Sequence, residues 1–173
     1  MFSDWTVIDL SIGIEDGPAS EPYPPSIDRM DHREGAESLA ENLREMDLDV
    51  TADDFPDGTA LAWEEIDAIT HTGTHMDAPY HYGAESEGAP ARRIDDVPLE
   101  WCLGEAVVLD MRHLDPGAEI GVGDIEEALD DLDYELTGDE IVLLQTGADE
   151  LWGEASYLTE FPGMGREATR FLV

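Results

Sequence analysis

The sequence predicts a mixed α/β fold in a single domain over residues 1–173, and the second half of the chain carries the strongest signals. Residues 105–110 contain Ala-Val-Val-Leu and residues 140–145 contain Ile-Val-Leu-Leu, two short apolar runs that are typical of buried strands. Between them, residues 124–132 have the pattern of a capped helix, with Asp124 as the cap and a glutamate three residues later. A strand, a helix and a strand at this spacing predict a right-handed βαβ crossover within a mixed sheet.

The first half of the chain predicts shorter elements that are separated by turns. Residues 5–10 alternate between apolar and polar side chains and are rich in β-formers, which predicts a first strand. The four prolines between residues 13 and 25 predict an ordered loop without regular structure. Apolar residues at helical spacing predict a helix over 35–46, and Phe-Pro-Asp-Gly at 55–58 predicts a turn.

The remaining elements lie on either side of the crossover. Residues 60–81 predict a strand that opens into a loop near Pro79, and residues 83–90 predict a further loop. A helical pattern starts near Gly165 and continues to Val173. Because the chain stops within this apolar stretch, without a cap, we expect that further C-terminal sequence completes the domain.

Acidic residues dominate the composition. The chain has 43 Asp and Glu residues against 8 basic residues, all of them arginine, and a formal net charge of −35. The charge is spread along the chain and indicates a salt-loving host, because high salt screens self-repulsion. Nucleic acids and anionic membranes are disfavoured as partners, since both need a basic surface. The sequence shows neither a membrane span nor a secretory signal, so we expect a cytoplasmic protein.

Residues 71–81 concentrate the side chains that could bind a metal ion. The segment contains three of the five histidines of the chain, together with Asp77. The successive intervals from His71 to His81 are four, two and four residues, so on an extended chain all four side chains lie on one face. A glycine, two threonines and a proline within the segment disfavour a helix and favour a strand that opens into a loop.

The residue types of this segment suit a catalytic metal site. Imidazole and carboxylate groups bind zinc or a neighbouring divalent ion, and three protein ligands with an open position are typical of catalysis. His71, His75 and Asp77 form such a set. His81 follows the bend at Pro79, so it can stand beside the ion and transfer protons. A single histidine is more often structural, but four polar groups together are costly to desolvate without a compensating charge.

Other reactive side chains have simpler interpretations. Cys102 is the only cysteine, which excludes an internal disulfide, and we expect it to be an inert core residue rather than a reactive thiol. His32 and His113 are expected to be surface or structural residues. Arg92 and Arg93 could bind a substrate carboxylate, but surface ion pairing is favoured in so acidic a chain.

The sequence His-Thr-Gly-Thr-His-Met-Asp-Ala-Pro-Tyr-His at 71–81 resembles the HxGTHxDxPxH signature of the cyclase-like metal-dependent hydrolases. This family includes bacterial kynurenine formamidase and isatin hydrolase. Asp9-Leu10-Ser11, the strand that ends in Asp110 and the late Pro-Gly pair also resemble the family's framework. The resemblance implies a cyclase-like swivelling β/β/α domain. It also implies hydrolysis of an amide or formamide C–N bond by arylformamidase-type chemistry, on a small substrate of the N-formylkynurenine type.

The resemblance assigns roles to individual residues. His71, His75 and Asp77 would bind Zn²⁺ or Mn²⁺, His81 would be the catalytic acid or base, and Tyr23 would contact the substrate. One ion is expected, because the family takes the further ligands of a second ion from a C-terminal segment beyond this sequence. The resemblance also implies a homo-oligomer, a dimer or a tetramer. The alternatives are a catalytically silent relative that binds a metal or small molecule, and a lyase or dehydratase that acts on a hydroxy acid.

Overall fold

The computed structural model describes residues 6–173 and divides into two compact units. The first unit contains residues 6–17 and Tyr23–Gly73, and the second contains Pro18–Pro22 and Thr74–Val173. The assignment of a single domain to residues 1–173 stays a prediction. In residues 6–173, no helix has both the length and the apolar composition that crossing a bilayer would require.

The first unit consists of a two-stranded antiparallel sheet and one long helix. Strands β1 (Ser26–Met30) and β2 (Trp63–Asp67) pair along their whole length, and helix α1 (His32–Glu45) follows β1 directly. The carboxylate of Asp31 accepts hydrogen bonds from the first-turn amides, and Glu34 accepts one from the Asp31 amide at 2.9 Å. This reciprocal cap sets the helix start. The predicted helix over 35–46 is therefore confirmed, with an earlier beginning.

The predicted strand over residues 5–10 is wrong for residues 6–10, which are irregular. Trp5 lies outside the described residues. The apolar side chains of this stretch are exposed, Val7 by 88% and Leu10 by 74%. Asp9 accepts hydrogen bonds from both the amide and the hydroxyl of Ser11, at 2.9 and 2.6 Å. Such local side-chain bonds compete with strand pairing, and the alternating pattern could not reveal this competition.

The second unit contains the strand–helix–strand arrangement that the sequence predicts. Its elements are, in chain order, α2 (Pro79–Tyr82), β3 (Glu85–Ser86), β4 (Ala89–Pro90), β5 (Ala106–Asp110), β6 (Glu119–Ile120), α3 (Val122–Asp131), β7 (Ile141–Gln145), β8 (Gly163–Met164) and α4 (Arg166–Leu172). Strands β5 and β7 are parallel neighbours, with Val107 opposite Val142, and α3 lies between them in the chain. The strand–helix–strand connection between parallel strands is confirmed, and its right-handedness stays a prediction. The helix predicted near Gly165 is present as α4.

The core of this unit lies between β5, α3 and α4. Its buried members are Val107, Leu109, Met111, Ile120, Ile125, Leu129 and Ala168. Helix α3 starts two residues before the predicted cap. Gly121 is the N-cap, and Asp124 accepts a hydrogen bond from the Gly121 amide at 2.7 Å. Asp124 therefore supplies the reciprocal half of the cap, and its assignment as the N-cap residue is wrong.

The predicted mixed sheet is divided into pairs. Among the described residues, β1–β2 and β3–β4 are antiparallel pairs, whereas β5–β7 and β6–β8 are parallel pairs. The loop predicted over 83–90 contains the short β3–β4 hairpin. The turn of that hairpin has positive φ at Glu87 and Gly88, 53° and 77°, which matches the twist that a tight hairpin needs.

The close approach of α1 to the segment before β2 gives a stability test. A Cβ atom at Gly35 would clash with the Leu61 carbonyl group. Gly35→Ala should therefore lower the free energy of unfolding by about 1–3 kcal/mol, the usual cost of overpacking. Gly123 of α3 is the control, since a Cβ there meets nothing within 4 Å. Gly123→Ala should be neutral or raise stability by up to about 1 kcal/mol. Urea denaturation measures both, and an equally stable Gly35→Ala variant would contradict this packing.

Glu140, just before β7, gives a pH test. Its carboxylate accepts hydrogen bonds from the Thr137 amide and hydroxyl, from the Gly138 amide and from the Tyr134 phenol. The Thr137 amide contributes most to lowering the pKa of Glu140 from 4.5 to about 2. A lowered folded-state pKa gives stability that is present above pH 4.5 and lost as pH falls towards 2.

The substitution Glu140→Gln should therefore destabilise the protein at neutral pH and flatten the loss of stability between pH 4.5 and 2. Thermal unfolding across that pH range measures both effects. Glu135→Gln is the matched control, because the Glu135 carboxylate accepts none of these bonds. If the stability of the Glu140→Gln protein has the same pH dependence as that of the wild type, the Glu140 carboxylate does not stabilise the turn at Thr137 and Gly138.

Candidate metal centre

The histidine segment is compact, so the predicted extended strand over it is wrong. Strand β2 ends at Asp67, residues 70–74 form turns and bends, and Pro79–Tyr82 is a single helical turn. The Thr72 amide donates to the Ile69 carbonyl oxygen at 3.2 Å, and Gly73 has φ of +63°. Proline is well suited to the first position of a helix, which allows the short turn after Ala78. The β-forming threonines are overridden by this local turn chemistry.

The compact segment brings three of the four predicted side chains together. One ligand atom each from His71, Asp77 and His81 lies within 4.8 Å of the others. His71 and Asp77 are partly buried and His81 is exposed. Two imidazoles and a carboxylate are ligands that suit zinc and other divalent transition metals. The donor set therefore fits a metal ion. A compact segment, and not the predicted extended strand, brings its members together.

Asp77 contacts two neighbouring side chains, one through each carboxylate oxygen. Its Oδ1 atom is buried and lies 3.5 Å from Nε2 of His75, and its Oδ2 atom accepts a hydrogen bond from the Tyr82 hydroxyl at 3.1 Å. The side chains of His75 and Asp77 are 30% and 23% exposed. The hydrogen bond to Asp77 raises the pKa of Tyr82, so the phenol remains protonated and donates.

The position of His75 differs from that of the three grouped side chains. It contacts Asp77, but its ligand atoms are outside the group formed by His71, Asp77 and His81. The ligand set of His71, His75 and Asp77, with His81 as acid or base, stays a prediction. Tyr23 is 68% exposed, and its assignment to substrate binding also stays a prediction.

Tyr82 is a site residue that the sequence analysis missed. It follows Asp77 by five residues, a spacing that indicates no contact in either a strand or a helix. The phenol reaches the carboxylate because Pro79 starts a helical turn that folds the chain back. Proline inside a polar segment is a signal for such a turn, but it does not identify the partner.

Two arginines near the segment stack on aromatic rings. The guanidinium carbon of Arg93 lies 4.5 Å from the ring centre of Tyr80, and that of Arg92 lies 5.2 Å from the ring centre of Trp101. The Tyr80 amide also donates to the Arg92 carbonyl oxygen at 3.0 Å. The favoured interpretation, surface ion pairing, is wrong for the described residues, because these cations contact π faces instead.

The other reactive side chains are separate from the segment. Cys102 is exposed, so its predicted place in the core is wrong. Nδ1 of His32 lies 2.8 Å from the Ala60 carbonyl oxygen, which agrees with a structural role. His113 is exposed, as predicted for a surface residue.

Comparison with known proteins identifies similar sequences and folds. A family model described as "putative cyclase" matches residues 8–173. A kynurenine formamidase from Geobacillus thermodenitrificans (strain NG80-2) is 34% identical over 84 residues, which cover 49% of this chain and 34% of that protein. A kynurenine formamidase from Bacillus thuringiensis (strain Al Hakam) is 33% identical over 92 residues, which cover 53% of this chain and 34% of that protein. The chain thus spans about a third of the length of these curated relatives.

Two crystal structures share the fold. An isatin hydrolase bound to the product analogue thioisatinate has a TM-score of 0.56 at 23% identity, covering 68% of this chain and 48% of that one. A structure described as a novel cyclase has a TM-score of 0.67 at 23% identity, covering 99% of this chain and 61% of that one. These likenesses confirm the predicted α/β class.

Asp77 belongs both to the predicted ligand set and to the group that the structure brings together. Asp77→Asn should therefore weaken zinc binding by roughly 100-fold, because a neutral amide replaces the one anionic ligand of a three-residue set. Competition with a chromophoric chelator measures the dissociation constant. Asp131→Asn, on the exposed end of α3, is the matched control and should bind zinc as the wild type does. Unchanged affinity in Asp77→Asn would remove Asp77 from the site.

Proposed function

Because this chain belongs to the cyclase family, whose model matches residues 8–173, we propose that it is a metal-dependent hydrolase of an amide or formamide C–N bond. The observation that carries the proposal is the grouping of His71, Asp77 and His81 within 4.8 Å. The names of the relatives support the reaction class, since two are formamidases and one is a hydrolase. We infer a small formamide of the N-formylkynurenine type as the substrate.

The proposed ligands are His71, His75 and Asp77, and the proposed ion is Zn²⁺ or Mn²⁺. A divalent ion bound by such ligands supplies a Lewis acid that polarises a carbonyl oxygen and lowers the pKa of water. The half-buried Asp77 carboxylate supplies the negative charge of the set. Nε2 of His75 lies 3.5 Å from the buried Oδ1 of Asp77, and this proximity supports its place in the proposed set.

His81 is proposed to transfer protons. His81 is an exposed residue of the helical turn Pro79–Tyr82, where a substrate can reach it. A ring nitrogen of the imidazole can accept the proton that the attacking water loses. The imidazolium can then donate a proton to the nitrogen of the departing amine. The C–O bond forms as the C–N bond breaks, and the products are a carboxylic acid and an amine. The T-shaped contact with Tyr82, at 4.9 Å between ring centres, restricts the orientation of the His81 ring.

The proposal also covers the oligomeric state of the protein. We infer a homo-oligomer that acts on a small molecule, as the sequence resemblance implies. The supporting feature is the family membership of residues 8–173. Sedimentation in molar KCl would test the assembly state, and a monomer at all protein concentrations would contradict it.

The variant His81→Ala tests whether His81 transfers protons rather than binds the metal. The variant should keep its zinc or manganese affinity within about threefold and lose turnover of N-formylkynurenine by roughly 10²–10⁴-fold, the usual contribution of general acid–base catalysis. His75→Ala should instead lose metal. His113→Ala, at an exposed histidine outside the segment, is the control for both measurements.

Each outcome identifies a different error. Loss of metal from His81→Ala, with metal retained in His75→Ala, would make His81 the ligand, as the observed grouping allows. A wild-type chain that binds the ion but turns over no formamide would contradict the proposed hydrolase and favour a catalytically silent member of the family.

A further inference from the structure

We propose that Tyr82 is a positioning residue, which fixes the orientation of the Asp77 carboxylate for metal binding. The inference rests on the proposed function, since it assigns Asp77 as a ligand. It adds a residue outside the predicted ligands and the predicted acid or base.

The two oxygens of Asp77 have different partners. Oδ2 accepts the hydrogen bond from the Tyr82 hydroxyl at 3.1 Å, whereas Oδ1 is buried and lies 3.5 Å from Nε2 of His75. The last torsion of an aspartate side chain is soft and nearly two-fold, so the carboxylate plane is not fixed by rotamer preference. The Tyr82 hydroxyl therefore favours the orientation in which Oδ1 faces the histidine.

The position of Tyr82 depends on the one-turn helix α2. Ala78 is extended, Pro79 is the first helical residue, and Tyr82 is the last residue of the turn. The His81 amide donates to the Ala78 carbonyl oxygen at 2.9 Å, and the Tyr80 amide donates to the Arg92 carbonyl oxygen at 3.0 Å. These backbone bonds hold the turn in place. The phenol is consequently directed back towards Asp77.

Core packing does not account for the contact. Tyr82 is 79% exposed, so its ring contributes little buried apolar area. Its described neighbours are the Asp77 carboxylate and the His81 ring, which it meets edge to face at an interplanar angle of 86°. The contacts of Tyr82 are therefore with residues of the site rather than with the core.

Loss of the hydroxyl alone should weaken the metal site without affecting the fold. Partners that orient metal ligands typically contribute 10–100-fold to metal affinity or activity. In Tyr82→Phe the ring contact with His81 can remain, while the bond to Oδ2 of Asp77 is lost. We expect a metal dissociation constant about 10-fold higher than that of the wild type.

Tyr80→Phe is the matched control. It removes a hydroxyl from the same helical turn, and the Tyr80 ring contacts Arg93 rather than Asp77. The experiment titrates the metal-free full chain, in its wild-type, Tyr82→Phe and Tyr80→Phe forms, with Zn²⁺ and Mn²⁺ in molar KCl by isothermal calorimetry. Thermal unfolding of the metal-free proteins establishes that all three are equally folded.

The expected result is a metal dissociation constant about 10-fold higher for Tyr82→Phe than for the wild type, and a change below twofold for Tyr80→Phe. A Tyr82→Phe protein that binds as tightly as the wild type overturns the inference and leaves the proposed function in place. Equal weakening in both variants also overturns it, because the effect would belong to the helical turn rather than to the bond. A wild-type chain that binds neither ion overturns the proposed function and, with it, the inference.

Discussion

The carboxylate of Asp77 is the group on which the candidate site depends. It is half-buried, it lies within 4.8 Å of ligand atoms of His71 and His81, and it contacts His75 and Tyr82 through its two oxygens. Removing negative charge from water is costly unless an opposite charge compensates it. The cost is greater in a chain with a formal net charge of −35. A divalent cation at this position would supply that compensation, which is why the geometry favours a metal.

The backbone around Asp77 explains how a short segment can hold such a site. The turn at Thr72 and the positive φ of Gly73 reverse the chain before Asp77, and the helical turn from Pro79 reverses it again. The π contact of Arg93 with Tyr80 packs the same turn against the following loop. The site is therefore built by local turn chemistry, and His81 remains exposed.

The sequence predicted those parts of the fold that depend on strong local patterns. The apolar runs around Val107 and Val142 and the helix between them were predictable, because buried strands and capped helices have a clear periodicity. The ligand types of the site followed from composition and spacing. Their arrangement did not, because residues at even-numbered intervals fit one face of a strand as well as they fit a compact turn. The contact of Tyr82 with Asp77 depends on that turn and was missed.

Membership of the cyclase family and the local geometry of residues 71–81 support one account, a divalent metal held by the histidine segment. The most direct test is anomalous diffraction at the zinc edge, from crystals of the chain grown with Zn²⁺. The account predicts an anomalous peak about 2.0–2.2 Å from a ligand atom of His71 and from a carboxylate oxygen of Asp77. A fully loaded crystal whose zinc lies elsewhere, with no peak beside these two residues, would contradict it.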